Sequence, residues 1–208
     1  MPSGVVGDLG FVGRGDELAA IASCAADAAS GRPWVVWIEG EAGTGKTALL
    51  RQAVAALPSG FQLLRAEASE AASDVPFDLV GELGDVTATA LFPAAMELLG
   101  LWGKASRARG VAVAVEDLHW ADPESRRALF TAARRLREDR VLLLVTSRPG
   151  VADADGWDRL RLDSDRCLYV TPGPLTAGEV TELAASRGAS LSAAAADRLL
   201  RHTGGHPL

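Results

Sequence analysis

Trp34-Val35-Val36-Trp37-Ile38-Glu39 runs without a break into Gly40-Glu41-Ala42-Gly43-Thr44-Gly45-Lys46-Thr47. The first half is the apolar run of a buried strand, and the second has the spacing G-x-x-x-x-G-K-T. Glycines let the main chain curl so that successive N–H groups converge on one point. The helix opening at Lys46 and continuing through Ala48 adds the positive end of its dipole. A concavity of this kind takes phosphate oxygens. Lys46 would reach the β and γ phosphates and Thr47 would offer its hydroxyl to Mg²⁺, so the expected ligand is a nucleoside triphosphate. The competing reading is a glycine-rich turn that binds nothing. Strand, glycines, lysine and threonine in one register favour the phosphate site.

The pattern on either side predicts how the loop is supported. After Thr47 the apolar residues Leu49, Leu50, Ala53, Val54 and Leu57 keep helical spacing until Pro58-Ser59-Gly60 stops it. Residues 61–66, 111–115, 141–145 and 167–170 are further strand-like runs, with helices expected at 76–84 and 89–102. Asp122 followed by Pro123 marks a helix start, as N-cap and first helical residue. Arg126, Arg127, Arg134 and Arg135 of that helix are expected to form a solvated face. Residues 104–110 are basic and expected to form an exposed turn, 151–165 look irregular, and 1–10 look loose. Thr176 with Glu179 three residues on is a capping box, and short helices are expected at 177–187 and 192–202. Strands alternating with helices mean βαβ units, hence an α/β fold with a parallel, five-stranded sheet flanked by helices.

Ligands of such sheets collect at the carboxyl ends of the strands. Three strand ends carry suitable chemistry. The phosphate loop follows the first. Glu116 and Asp117 follow the strand over 111–115, where an acid would hold Mg²⁺ and its neighbour would orient or deprotonate a water. Arg148 follows the strand over 141–145, and a guanidinium there would sense the γ-phosphate. A cluster of helix-capping acids and a surface arginine are the plainer alternatives. His119 is as compatible with a packed ring as with a ligand, and is assigned no role.

Composition narrows the classes. Hydrophobic residues at 48% with 23% charged suit a globular chain with a sizeable core. A net charge of −6 and a pI near 5.1 argue against a nucleic-acid surface, which needs clustered Lys and Arg. Cys24 and Cys167 stand far apart in no metal-binding spacing, as reduced thiols do. No run approaches the roughly eighteen apolar residues of a membrane span, and the N-terminus lacks the features of a secretory signal. A cytoplasmic protein without membrane contact is expected.

The segments FVGRGDEL (11–18), GEAGTGKT (40–47), VAVAVEDLHWAD (111–122), LLLVTSRPG (142–150) and TGGHPL (203–208) together resemble the signal-transduction ATPases with numerous domains. More narrowly, they are similar to the AAA-type ATPase module of the large ATP-binding LuxR-family regulators of bacteria. The resemblance implies a P-loop NTPase fold of the AAA-like class, with ATP or ADP and Mg²⁺ as ligands. It implies a core over 1–172 and a small helical extension over 173–208. It places Val12, Gly13 and Arg14 on the adenine side of the pocket. It makes Pro207, in the Gly205-His206-Pro207 match to a G-x-P motif, a residue that packs on the base. Glu116 departs from the commoner aspartate at the metal position.

In those regulators a winged helix, helical repeats and a DNA-binding helix-turn-helix follow the module. The chain is therefore expected to be an excised or truncated piece, contacting DNA only through other domains and self-associating in response to ATP. An ATP-binding regulatory switch with slow hydrolysis is the leading expectation. A catalytic ATPase of the AAA type that remodels a partner is the alternative. A direct DNA binder and a small-molecule kinase fit these residues less well.

Overall fold

A computed structural model of the chain describes residues 11–151, 155–161 and 165–207. The loose stretch expected over 1–10 and the end of the chain at Leu208 lie outside the described residues. Helix α1 (Gly15–Ala29) precedes β1 (Trp34–Glu39), and α2 (Lys46–Ala55) leads to β2 (Phe61–Glu67). Two helices, α3 (Asp78–Glu82) and α4 (Leu91–Ser106), lead to β3 (Gly110–Glu116). Then come α5 (Pro123–Ala133), β4 (Val141–Ser147), α6 (Asp158–Arg161), β5 (Cys167–Val170), α7 (Ala177–Ser186) and α8 (Ala193–Thr203).

The five strands form one sheet in the order β2-β3-β4-β1-β5, and every pair is parallel. That order follows from the handedness of crossovers. From β1 the chain moves to the far edge at β2, then returns through β3 and β4 and passes over β1 to reach β5. Right-handed connections running in opposite directions must lie on opposite faces. The packing obeys this. Helices α1 and α2 cover the face bearing Val36, Ile38, Ala114, Leu142 and Leu144. The return crossovers, α3 to α6, cover the face bearing Val35, Trp37, Val113, Leu143 and Val145. Strands β3 and β4 are buried along their whole length, which explains their unbroken apolar runs. The edge strand β2 is largely exposed.

Three local expectations need correction. Helix α4 runs on through Lys104 to Ser106, so the expected basic turn is shorter than 104–110. The helix expected over 76–84 shrinks to Asp78–Glu82. The arginines of α5 are only partly a solvated face. The carboxylate of Asp155 is buried against α5 by Arg126 at 2.5 Å and Arg127 at 3.5 Å, which docks the crossover after β4. Among the described residues no helix is long and apolar enough to cross a membrane.

Candidate nucleotide site

The crossovers that leave the neighbouring strands β1 and β4 run in opposite directions, so the exit loop of β1 stands in a crevice at the carboxyl edge of the sheet. The loop is held by its own backbone. Gly40 N–H donates to the Ser147 carbonyl at 3.2 Å, extending the β1–β4 pairing by one bond. Gly43 and Gly45 take φ of 82° and 89°, left-handed conformations that strain other residues. A Cβ on Gly40 would lie 2.8 Å from Thr44 Oγ1, which donates to the Glu41 carbonyl at 2.9 Å. Helix α2 starts with no capping side chain and no acid in its first turn, leaving its first N–H groups available to an anion. Lys46 is 7% exposed, and its Nζ donates to the carbonyls of Gly40 and Glu41, each at 2.9 Å. Burial, first, pushes the Lys46 pKa down; Asp117 and Glu41 act against that and Arg148 reinforces it.

The ends of β3 and β4 bring a second group of charges into the same field. Asp117 sits at φ 52°, an uncommon conformation for a residue with a side chain, and its N–H donates to Thr146 Oγ1 at 2.9 Å. Its carboxyl lies 3.9 Å from Nδ1 of His119. The His119 side chain is 9% exposed and neither ring nitrogen has a hydrogen-bond partner. Burial is the main cause of its lowered pKa, opposed by Asp117 and reinforced by Arg148 and Lys46. The Arg148 guanidinium stacks over Trp120 at 5.4 Å, and Trp120 lies 5.1 Å from the His119 ring. Lys46, Asp117, His119 and Arg148 thus act on one another electrostatically.

Glu116 is placed differently. It is 2% exposed, with one carboxylate oxygen bonded to Arg65 of β2 and the other 3.6 Å from Arg51 of α2. Thr47, in the first turn of α2, stands four residues before Arg51, on the same side of the helix.

The two chain ends meet the loop from the other side. Arg14, at φ 64°, donates to the Thr44 carbonyl at 3.4 Å and to the Gly173 carbonyl at 2.5 Å. A Cβ on Gly13 would overlap the Glu179 carboxylate at the start of α7. Val12 is buried beside them. Gly205, at φ 79°, accepts a bond at its carbonyl from Leu175 N–H at 2.8 Å, and a Cβ there would come within 2.7 Å of Pro174. That docking carries Pro207 to the loop, where its Cγ would lie 3.6 Å from a Cβ on Gly45. Arg14 and Pro207 therefore reach the phosphate loop, while Gly13 packs against Glu179.

The residues fit the ligands the sequence suggests. An uncapped helix start and a buried ammonium suit phosphate oxygens. Among the described residues no group of three His, Cys, Asp or Glu could hold a metal alone. Spacing alone did not signal Arg51, Arg65 or Trp120, whose partners are distant in sequence, and it showed Glu179 as a helix cap and not as a neighbour of Gly13.

A parallel sheet in this order, with a glycine loop running from its β1 into an uncapped helix, defines a P-loop nucleotide-binding ATPase module of the AAA type. The chain belongs to the AAA ATPase domain family, whose model matches residues 10–145. An uncharacterized protein of Rhizobium meliloti is 33% identical over 74% of this chain. The chain spans 21% of that relative's length. Among solved structures, the ORC2 protein of Aeropyrum pernix, in complexes with ADPNP and ADP, has a TM-score of 0.63 at 14% identity, covering 86% of this chain and 52% of its own. A STAND protein with a tetratricopeptide repeat sensor from Pyrococcus horikoshii has a TM-score of 0.58 at 22% identity, covering 95% of this chain and 28% of its own. At these identities the two structures establish the common fold.

Proposed function

We propose that the chain is a nucleotide-controlled switch, in which exchange of ATP for ADP changes how the helical segment over 173–208 sits on the core over 1–172. It would serve in a bacterial signal-transduction or transcription regulator of the large ATP-binding LuxR type, with slow hydrolysis as the reset. The observation that carries this reading is the double contact on the phosphate loop. Arg14 joins the Thr44 carbonyl to the Gly173 carbonyl, and Pro207 packs beside Gly45. Movement of the loop on binding a triphosphate is thereby felt by the segment that carries α7 and α8.

In this reading the amides of residues 40–48 hold the phosphates, and the Lys46 ammonium exchanges its two carbonyl partners for phosphate oxygens. Mg²⁺, held through Thr47 and Glu116, would neutralise phosphate charge. Asp117 accepts a proton from the attacking water, whose oxygen displaces the bridging oxygen at the γ-phosphorus. Arg148, held by Trp120, offsets charge on the departing phosphate. Val12, Gly13 and Arg14 flank the base, and Pro207 closes on it. Replacing Asp117 by Asn leaves ATP affinity within about threefold and lowers single-turnover hydrolysis by about 100-fold or more, the scale of a lost general base. Unchanged hydrolysis would remove Asp117 from the mechanism.

A further inference from the structure

The carboxylate at the proposed metal position is already engaged. Glu116 ends β3 on the sheet face covered by α2, and at 2% exposure it lies out of reach of bulk water. A buried carboxylate requires positive or hydrogen-bonding partners. It has two, one on each oxygen: Arg65 from β2 and Arg51 from α2. Their side chains are 46% and 61% exposed, so both guanidinium groups reach inward from the rim. Arg51 stands one turn beyond Thr47 on α2, so the arginine that reaches Glu116 and the threonine that would face a magnesium ion share one side of the helix. Glutamate has one more methylene than the aspartate usual at this site. The extra rotatable bond gives the carboxylate a longer reach and a wider choice of rotamers than an aspartate has.

We propose that Arg51 and Arg65 compete with Mg²⁺ for Glu116, so that this chain binds nucleotide almost independently of the metal until the arginine clamp is released. The inference rests on the P-loop reading and concerns only how the metal is admitted to that site. The clamp also ties α2 to the β2–β3 edge of the sheet. Metal capture by Glu116 therefore loosens the hold of the sheet on the helix that carries Lys46 and Thr47.

The test is titration of a fluorescent ADP analogue against the whole chain, in excess Mg²⁺ and in excess EDTA. In the unsubstituted protein the two dissociation constants are expected to differ by less than about threefold. In the Arg51→Gln/Arg65→Gln variant, which removes both guanidinium charges and keeps polar side chains at the rim, the difference is expected to widen to about tenfold or more, through tighter binding in Mg²⁺. Arg51→Gln alone, which spares the shorter Arg65 contact, should lie between them and guards against misfolding of the double variant. A tenfold metal dependence in the unsubstituted protein overturns the clamp, as does the same ratio in all three proteins. Absence of binding under both conditions overturns the P-loop reading itself, and the clamp with it.

Discussion

Replacing Lys46 by Met keeps most of the aliphatic stem and removes the ammonium. In the free protein that ammonium makes two bonds of 2.9 Å to carbonyls and is nearly out of water. Each charge-assisted bond contributes about 1.5–3 kcal/mol, but burial of the charge opposes them, as the lowered pKa of Lys46 shows. The two effects largely cancel, so the variant without nucleotide should unfold within about 1–2 kcal/mol of the parent. With nucleotide they do not cancel. The desolvation is already present, and the bonds move from neutral carbonyls to charged phosphate oxygens. Truncating one partner of such a buried charge pair costs about 2–5 kcal/mol. That is about 30-fold to a few thousand-fold in the dissociation constant. Titration calorimetry with Mg-ATP, paired with a thermal scan of each protein alone, separates affinity from folding. Equal ATP affinity in the two proteins would refute the reasoning. So would an affinity loss accompanied by an equal collapse in stability.

Other perturbations follow from the same geometry. His119 is held neutral mainly by burial, so below pH about 6.5 the unfolded chain takes up a proton that the folded chain refuses. Stability should fall as pH drops below that value, until the folded pKa is passed, and His119→Leu should flatten the slope of urea-unfolding free energy between about pH 6.5 and 5. An identical slope would show that the ring protonates freely in the fold. Asp122 caps α5 at Ser125 N–H (2.8 Å) and accepts from Phe77 N–H (2.9 Å) with 1% exposure. Asp122→Ala removes a cap and strands a buried donor, so denaturant titration should show a loss of about 2–4 kcal/mol. A loss under about 0.5 kcal/mol would mean that water replaces both bonds.

The sequence displayed what is encoded locally. The phosphate loop, the apolar strands on either side of the site, the Asp122-Pro123 helix start and the Thr176–Glu179 capping box are each set by a short run of consecutive residues, and all appear in the structure. What required coordinates is the pairing of residues far apart. Nothing near Glu116 announces that Arg51 and Arg65 reach it, since one arrives on a helix and the other on a neighbouring strand. Arg126 looked like one member of a solvated stripe because its partner, Asp155, follows the next strand. His119 and Trp120 are legible as letters, but only the fold shows the ring of one without a hydrogen-bond partner and the other under a guanidinium. The end of α4 was misplaced because Lys104 and the small residues beside it suit a turn as well as a last helical turn.

The strand that presents the phosphate loop has a further consequence for synthesis of the chain. Trp34 pairs with Leu142 and Val35 with Cys167, so both neighbours of β1 leave the ribosome more than a hundred residues after it does. During that interval the apolar run from Trp34 to Ile38 has no partner on either side, an exposed surface of the kind chaperones cover. A nascent chain halted before Val141 would carry the whole glycine loop and still lack its support.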